Sequence, residues 1–176
     1  PVRGHYKSKN AVYSKLLVVD KENRESKADA SNAGINSSQY PLYLCTDVDC
    51  ILKADTLVKL VKPFIENKTK VIATGAPIRS SNSCEIKEGF LDKVHFPKHW
   101  YPMFQELEYI RAFLFGRMAW SQLNSLILVS GGLGMFDKEI AITAGGYTHN
   151  SLGEDMELII RMRKVMYERK QRFKIA

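Results

Sequence analysis

Four carboxylates in this sequence stand where they could do chemistry. Asp47 and Asp49 close the stretch Tyr43 to Asp49, YLCTDVD, separated by the small apolar Val48. Glu154 and Asp155 are adjacent and follow Gly153, at the first positions of a helical pattern. Two carboxylates one residue apart offer hard oxygen ligands to a divalent cation, which can itself hold a diphosphate. A carboxylate at a helix start can take a proton from a hydroxyl. Each pair also has a plainer reading. Asp47 and Asp49 could form a polar turn capping the next helix, and Glu154 and Asp155 could simply complement the helix macrodipole, an effect of about a few tenths of a kcal/mol. The same dipole lowers a carboxylate's pKa, so a base at this place is expected to stay ionised.

Ser130, Gly131, Gly132 and Gly134 make a second candidate. Glycines let a ligand approach the backbone, but these lack the spacing of a dinucleotide fingerprint and do not end in Gly-Lys-Ser/Thr. Either a bend shaping one wall of a sugar site or a plain turn fits them. Gly145 and Gly146 read as a turn. His95 and His99 have Pro97 between them and read as structural or solvent-exposed rather than as metal ligands. Cys45, Cys50 and Cys84 form no Cys-x-x-Cys pair, so neither a zinc site nor a disulfide framework is suggested.

The elements that must position these residues follow from the apolar pattern. Leu16 to Val19 and Leu42 to Cys45 are short apolar runs of the buried-strand type, and Ala28 to Asn36 suits a short helix between them. Strand, helix, strand predicts a right-handed crossover with parallel strands. Leu57, Leu60, Val61 and Phe64 recur at helical spacing after a plausible cap at Asp55, with Pro63 bending the last turn. Val71 to Ala73 is a third strand. A doubly wound, mostly parallel sheet results, with ligands expected at the carboxyl ends of its strands, where Asp47 and Asp49 lie. Residues 79–103 lose periodicity and read as a flap or flexible segment. Residues 104–120 predict a helix that buries Phe104, Leu107, Leu114, Phe115 and Met118, with Glu108 and Arg111 paired on its surface. Leu126 to Val129 predicts a strand, and Met156, Ile159, Ile160 and Val165 a buried stripe on the last helix.

The whole chain, 176 residues with 45% hydrophobic and 26% charged, fits one globular domain spanning residues 1–176. No run approaches the ~20 apolar residues of a membrane span, and the start PVRGHYKSKN has no apolar signal-peptide centre. The net charge of +7 concentrates at residues 161–174, where seven basic residues face only Glu168. That is a solvated helix end, or a patch for an anionic surface. Nucleic acid is not indicated, since no aromatic residues alternate with the basic ones.

Five segments in order carry a resemblance: KADASNAG (Lys27 to Gly34), CTDVD (Cys45 to Asp49), VSGGLGMF (Val129 to Phe136), AGGY (Ala144 to Tyr147) and GEDMELIIRM (Gly153 to Met162). Together they resemble the catalytic domain of family 2 glycosyltransferases, nearest the membrane-associated branch of cellulose, chitin, hyaluronan and poly-N-acetylglucosamine synthases. The resemblance implies a GT-A fold and an inverting transfer from a nucleotide-sugar, UDP-linked in the first instance, to a glycan or lipid-linked acceptor. It implies Asp47 and Asp49 as donor and metal residues for Mg²⁺ or Mn²⁺, and Lys27 as a donor contact. It further implies Asp155 as general base with Glu154 beside it, and Ser130, Gly131 and Gly132 on the acceptor side.

The departures carry expectations of their own. The family begins with a strand-borne aspartate that holds the nucleotide base, and it continues into a Gln-x-x-Arg-Trp motif and membrane helices. Nothing before Leu16 supplies the first, and QRFKIA is not the second. The chain therefore reads as an internal fragment, truncated at the N-terminal nucleotide-binding strands. The isolated fragment is expected to be soluble and inactive, and the longer protein to work at the cytoplasmic face of a membrane. The edge at Leu16 to Val19 would be exposed and could pair with a second copy. Two rival readings stand beside this one: a non-catalytic module docking on an anionic surface, and a nucleotidyltransferase on a related fold. Glu154 and Asp155 argue against the latter, because attack by a phosphate needs no such base.

Overall fold

The computed structural model describes every residue except Arg24, Asn150 and Leu152. Strands β1 (Val2–Lys7) and β2 (Leu17–Lys21) open the chain. Helix α1 (Lys27–Ser37) follows, its N-terminus closed by the Ser26 hydroxyl, which accepts the Asp29 N–H at 3.3 Å. Next come β3 (Leu42–Thr46), α2 (Thr56–Glu66), β4 (Lys70–Gly75) and a hairpin of β5 (Glu85–Lys87) and β6 (Phe90–Lys93). Helix α3 (Trp100–Tyr109) runs on through a π-helical stretch, Ile110–Arg117, into α4 (Met118–Gln122). The chain then forms β7 (Leu133–Asp137), α5 (Lys138–Thr143), α6 (Glu154–Glu168) and β8 (Phe173–Ile175).

The main sheet has the order β3-β7-β4-β8. β7 runs antiparallel to both β3 and β4, and β4 runs parallel to β8. Three strands thus point one way and β7 the other, a mixed sheet flanked by helices within the expected α/β class. β7 is buried at all five positions, as a central strand must be.

Several expectations change. The run at Leu16 to Val19 does not join the main sheet. β2 pairs antiparallel with β1, with Leu17 opposite Lys7, so the predicted parallel crossover into β3 is absent. β1, in which Val2, Gly4 and Tyr6 alternate with Arg3, His5 and Lys7, covers one edge of β2 by backbone pairing. Leu126 to Val129 is not a strand either; the strand lies later, at Leu133–Asp137, so that Ser130, Gly131 and Gly132 precede it and only Gly134 falls within it. On the long helix, Phe104, Leu107, Phe115 and Met118 are exposed, while Glu106 is buried. Spacing of 3.6 cannot be carried through the π-helical stretch, which turns more slowly and so displaces Phe115 and Met118; Phe104 and Leu107 precede it, on α3, where Glu106 turns inward instead.

On α6 the buried stripe is Leu158, Ile159, Met162 and Met166, and Met156 and Ile160 face outward. Counting back by three and four residues from this stripe reaches Asp155. The face that packs on the sheet therefore also carries Asp155 inward.

The basic segment is engaged by the fold in part, while Lys170 and Arg172 are exposed. Arg163 donates to the Asn124 carbonyl at 2.8 Å, and Arg169 pairs with Glu139 at 3.0 Å. Asp55 stands at the start of α2 but caps it with no hydrogen bond, reaching Lys59 at 2.6 Å instead. Glu108 and Arg111 pair at 2.7 Å as expected. His95, just after β6, lies 3.1 Å from Glu85 of β5, and His99 precedes α3.

Candidate active site

The site begins where β3 ends. With Thr46 opposite Leu133 in the β3–β7 register, the next residues meet the glycine stretch. The Gly132 carbonyl accepts the Asp47 N–H at 3.2 Å and the Thr46 hydroxyl at 3.0 Å. Asp47 is half-buried, Asp49 is exposed, and oxygens of both lie with the Cys50 sulfur in one group whose atoms are within 4.8 Å of one another. These residues line a cleft of about 1090 Å³ whose far wall includes Arg79, Glu106 and Leu91 of β6.

Lys27, the first residue of α1, crosses to this corner. Its ammonium lies 2.6 Å from Asp47 Oδ1 and donates to the Gly131 carbonyl at 2.6 Å. Asp155 approaches from α6 on the other side of the same glycine: a Cβ added at Gly131 would come 2.5 Å from its Oδ2. Ser130 is buried, and its hydroxyl accepts the Gly132 N–H at 3.2 Å, which folds the glycine turn. Lys27, Asp47, Gly131 and Asp155, distant in sequence, therefore converge.

Charge follows this geometry. Burial pushes the Asp155 carboxyl above its ordinary range, against the pull of Lys27 and with help from Asp47. Glu154 is raised for the same first reason, with the Asp155 charge adding. The expected lowering by the helix dipole is thus outweighed by desolvation. Burial works to lower the Lys27 ammonium, but the hydrogen bond and charge of Asp47, with Asp155 behind, raise it overall.

Sequence reasoning missed Cys50 as a neighbour of the two aspartates, although its place directly after Asp49 was the available signal. It also missed Asn32 and Arg161, which fasten the turn before Asp155. Asn32 bonds the backbone of Tyr147 through both ends of its amide, at 2.8 Å each. Arg161 donates to the carbonyls of Ala144 and Gly146.

An α/β sheet with carboxylates gathered at a strand end, facing a lysine and a third carboxylate, describes a class that handles charged ligands at that end. The family model for glycosyl transferase family 2 matches residues 6–119, and the chain belongs to that family. Among curated proteins it is similar to the poly-beta-1,6-N-acetyl-D-glucosamine synthases of Staphylococcus aureus strains COL, MSSA476 and MRSA252. Each is 26% identical over 160 residues, covering 87% of this chain and 34% of the relative. The chain thus spans about a third of the length of these relatives.

Proposed function

We propose that this chain is the catalytic core of an inverting glycosyltransferase that moves a sugar from a nucleotide-sugar donor, UDP-linked, to a glycan or lipid-linked acceptor. The observation that carries the reading is the convergence on Gly131, where Lys27 binds its carbonyl and Asp155 packs against its α-carbon. That arrangement sets a cation for a donor's phosphates beside a base for an acceptor's hydroxyl.

In this reading Lys27 binds the donor's diphosphate, Asp155 accepts the acceptor's proton, and Glu154 sustains its environment. Ser130, Gly131 and Gly132 form the acceptor-side wall, the glycines letting Asp155 and Asp47 come close to the backbone. Asp47 and Asp49 fit a divalent cation, since their oxygens already lie within one small group with the Cys50 sulfur. Mg²⁺ or Mn²⁺ held there would neutralise the leaving diphosphate. Residues 79–103, which include the β5–β6 hairpin, form one wall of the cleft and would act as its flap.

The test uses the enzyme that carries this chain, offered UDP-N-acetylglucosamine first and other UDP-sugars next. Transfer that is lost in Asp155→Asn and in Asp49→Asn supports the assignment, and retained turnover in Asp155→Asn overturns it. The isolated 176 residues should neither transfer nor hydrolyse donor; robust hydrolysis would contradict this. We place the protein that carries this chain at the cytoplasmic face of a membrane, on the strength of its resemblance to the membrane-associated synthases; no described helix of this chain is long and apolar enough to cross a membrane. Recovery of the enzyme in the soluble fraction after lysis would refute that. Self-association through the free edge of β2 is part of the same proposal, and a monomeric mass by light scattering would remove it.

A further inference from the structure

We infer that Asn32 and Arg161 are positioning residues that set the location of Asp155 relative to Lys27 by pinning the turn at residues 144–148. The inference rests on the glycosyl-transfer reading for its meaning but not for its test.

The turn is held from two helices. From α1, the Asn32 amide donates to the Tyr147 carbonyl and accepts the Tyr147 N–H, 2.8 Å in each direction. This two-point bond fixes both the position and the rotation of one peptide segment. From α6, the Arg161 guanidinium donates to the Ala144 carbonyl, to the Gly146 carbonyl at 2.7 Å and to the Thr148 hydroxyl at 3.0 Å. The turn itself needs glycine, with φ of +92° at Gly145 and +68° at Gly146. A Cβ at Gly146 would come 2.6 Å from Asn32 Oδ1, so the backbone approaches Asn32 as closely as only glycine allows.

What the turn joins gives the arrangement its consequence. Lys27 lies on α1 five residues before Asn32, and Asp155 lies on α6 six residues before Arg161. The ring of Tyr147 is buried and meets Phe136 edge-on at 6.4 Å. Phe136 in turn stacks on Tyr43 at 5.2 Å, in the strand that leads to Asp47. The three side chains at the centre, Lys27, Asp47 and Asp155, thus stand on elements tied to one segment, residues 144–148: α1 and α6 by hydrogen bonds, and the strand before Asp47 through Phe136. Packing against the core fixes the tilt of α1 and α6, but sliding of one along the other is resisted by directional bonds, and Asn32 and Arg161 supply them. A slip of about 1 Å between reacting groups can cost on the order of a hundredfold in rate.

The test replaces each clamp by a side chain of similar shape without its hydrogen bonds, Asn32→Leu and Arg161→Met. In this chain, labelled for NMR, the carboxyl carbon of Asp155 and the amide of Gly131 should both move at fixed pH in either variant. The double variant should move them no further, because both act through one turn. In the active enzyme kcat should fall at least tenfold in each, with donor KM changed less than about threefold. Shifts confined to Tyr147 and its neighbours, in a protein that remains folded by circular dichroism, would overturn the inference. If the wild-type enzyme transfers no sugar, the glycosyl-transfer reading fails, and the NMR arm still decides whether the clamp positions Asp155. Should a variant not fold, Arg161→Lys and Asn32→Gln are read in the same way, and unchanged Asp155 and Gly131 signals in both would again refute it.

Discussion

Asp155 packs directly on the α-carbon of Gly131, with 2.5 Å between its Oδ2 and the place a Cβ would occupy. A methyl group there can be admitted only by turning the carboxylate away, since real Cβ atoms do not come so close. Gly131 is not in the left-handed region of φ, so alanine imposes no backbone strain. Gly131→Ala should therefore leave the thermal midpoint within about 2–4 °C, equivalent to roughly 1 kcal/mol for a chain of this size. Turnover, in contrast, should fall at least tenfold. A loss of stability matching the loss of turnover would show that the glycine serves folding instead.

The raised carboxyls give a pH signature. Asp155 and Glu154 are both held above their ordinary values, first by burial. The folded protein thus binds these protons more tightly than the unfolded chain. Their contribution to stability is present below the unfolded carboxylate value, near 4, and is lost as pH rises through the folded value. Where Asp155 is ionised, the folded state carries the cost of burying its charge. Asp155→Asn should melt higher than wild type at pH 7, and the advantage should shrink as pH falls below the carboxylate range. An asparagine variant that melts lower at pH 7 would count against burial as the dominant cause. In the active enzyme the acid limb of kcat should lie above the range of an ordinary aspartate.

Metal binding is separable from folding at Asp49. This side chain is exposed, and none of the described ion pairs involves it. Asp49→Asn should weaken Mn²⁺ binding at least tenfold, read from the electron paramagnetic resonance of the free ion, with a thermal midpoint unchanged within error. Asp47→Asn should do both kinds of harm, because it also releases Lys27 from its 2.6 Å ion pair. Equal Mn²⁺ affinity in wild type and Asp49→Asn would remove Asp49 from the ligand set.

The sequence disclosed the parts of this site that lie on strongly patterned elements. Apolar runs located β3 and β4, and the change to helical spacing at Gly153 located the start of α6, which sufficed to mark Asp47, Asp49 and Asp155. What it could not disclose was pairing across distance. β1 alternates Val2, Gly4 and Tyr6 with Arg3, His5 and Lys7, but with a glycine among only two apolar side chains on that face the pattern is too weak to announce a strand that claims β2. The π-helical stretch Ile110–Arg117 broke the 3.6 rhythm beyond Tyr109, where Phe115 and Met118 were expected inside. The direction of the Asp155 shift also escaped, because a helix dipole is visible in sequence while burial against Gly131 is not. Asn32 and Arg161 were hidden for a related reason: polar residues whose partners are mostly backbone N–H and carbonyl groups leave no spacing to read.

Glu106 gives a last prediction, about the far wall of the cleft. Its carboxylate is 3% exposed, accepts the Ser80 N–H at 3.0 Å and pairs with Arg79. α3 and the segment after β4 are thus joined by one charge. Glu106→Leu would leave the Ser80 N–H and the Arg79 guanidinium without that partner. Breaking a fully buried pair costs about 3–5 kcal/mol, but Arg79 is half exposed and water can take over part of its solvation. A loss of roughly 2 kcal/mol follows, which lowers the thermal midpoint by about 4–8 °C. Asp47 and Asp49 lie across the cleft, so Mn²⁺ binding by the folded variant should match wild type. Stability equal to wild type would mean that Arg79 and Ser80 are satisfied equally well by solvent, and the wall would then owe its position to apolar packing alone.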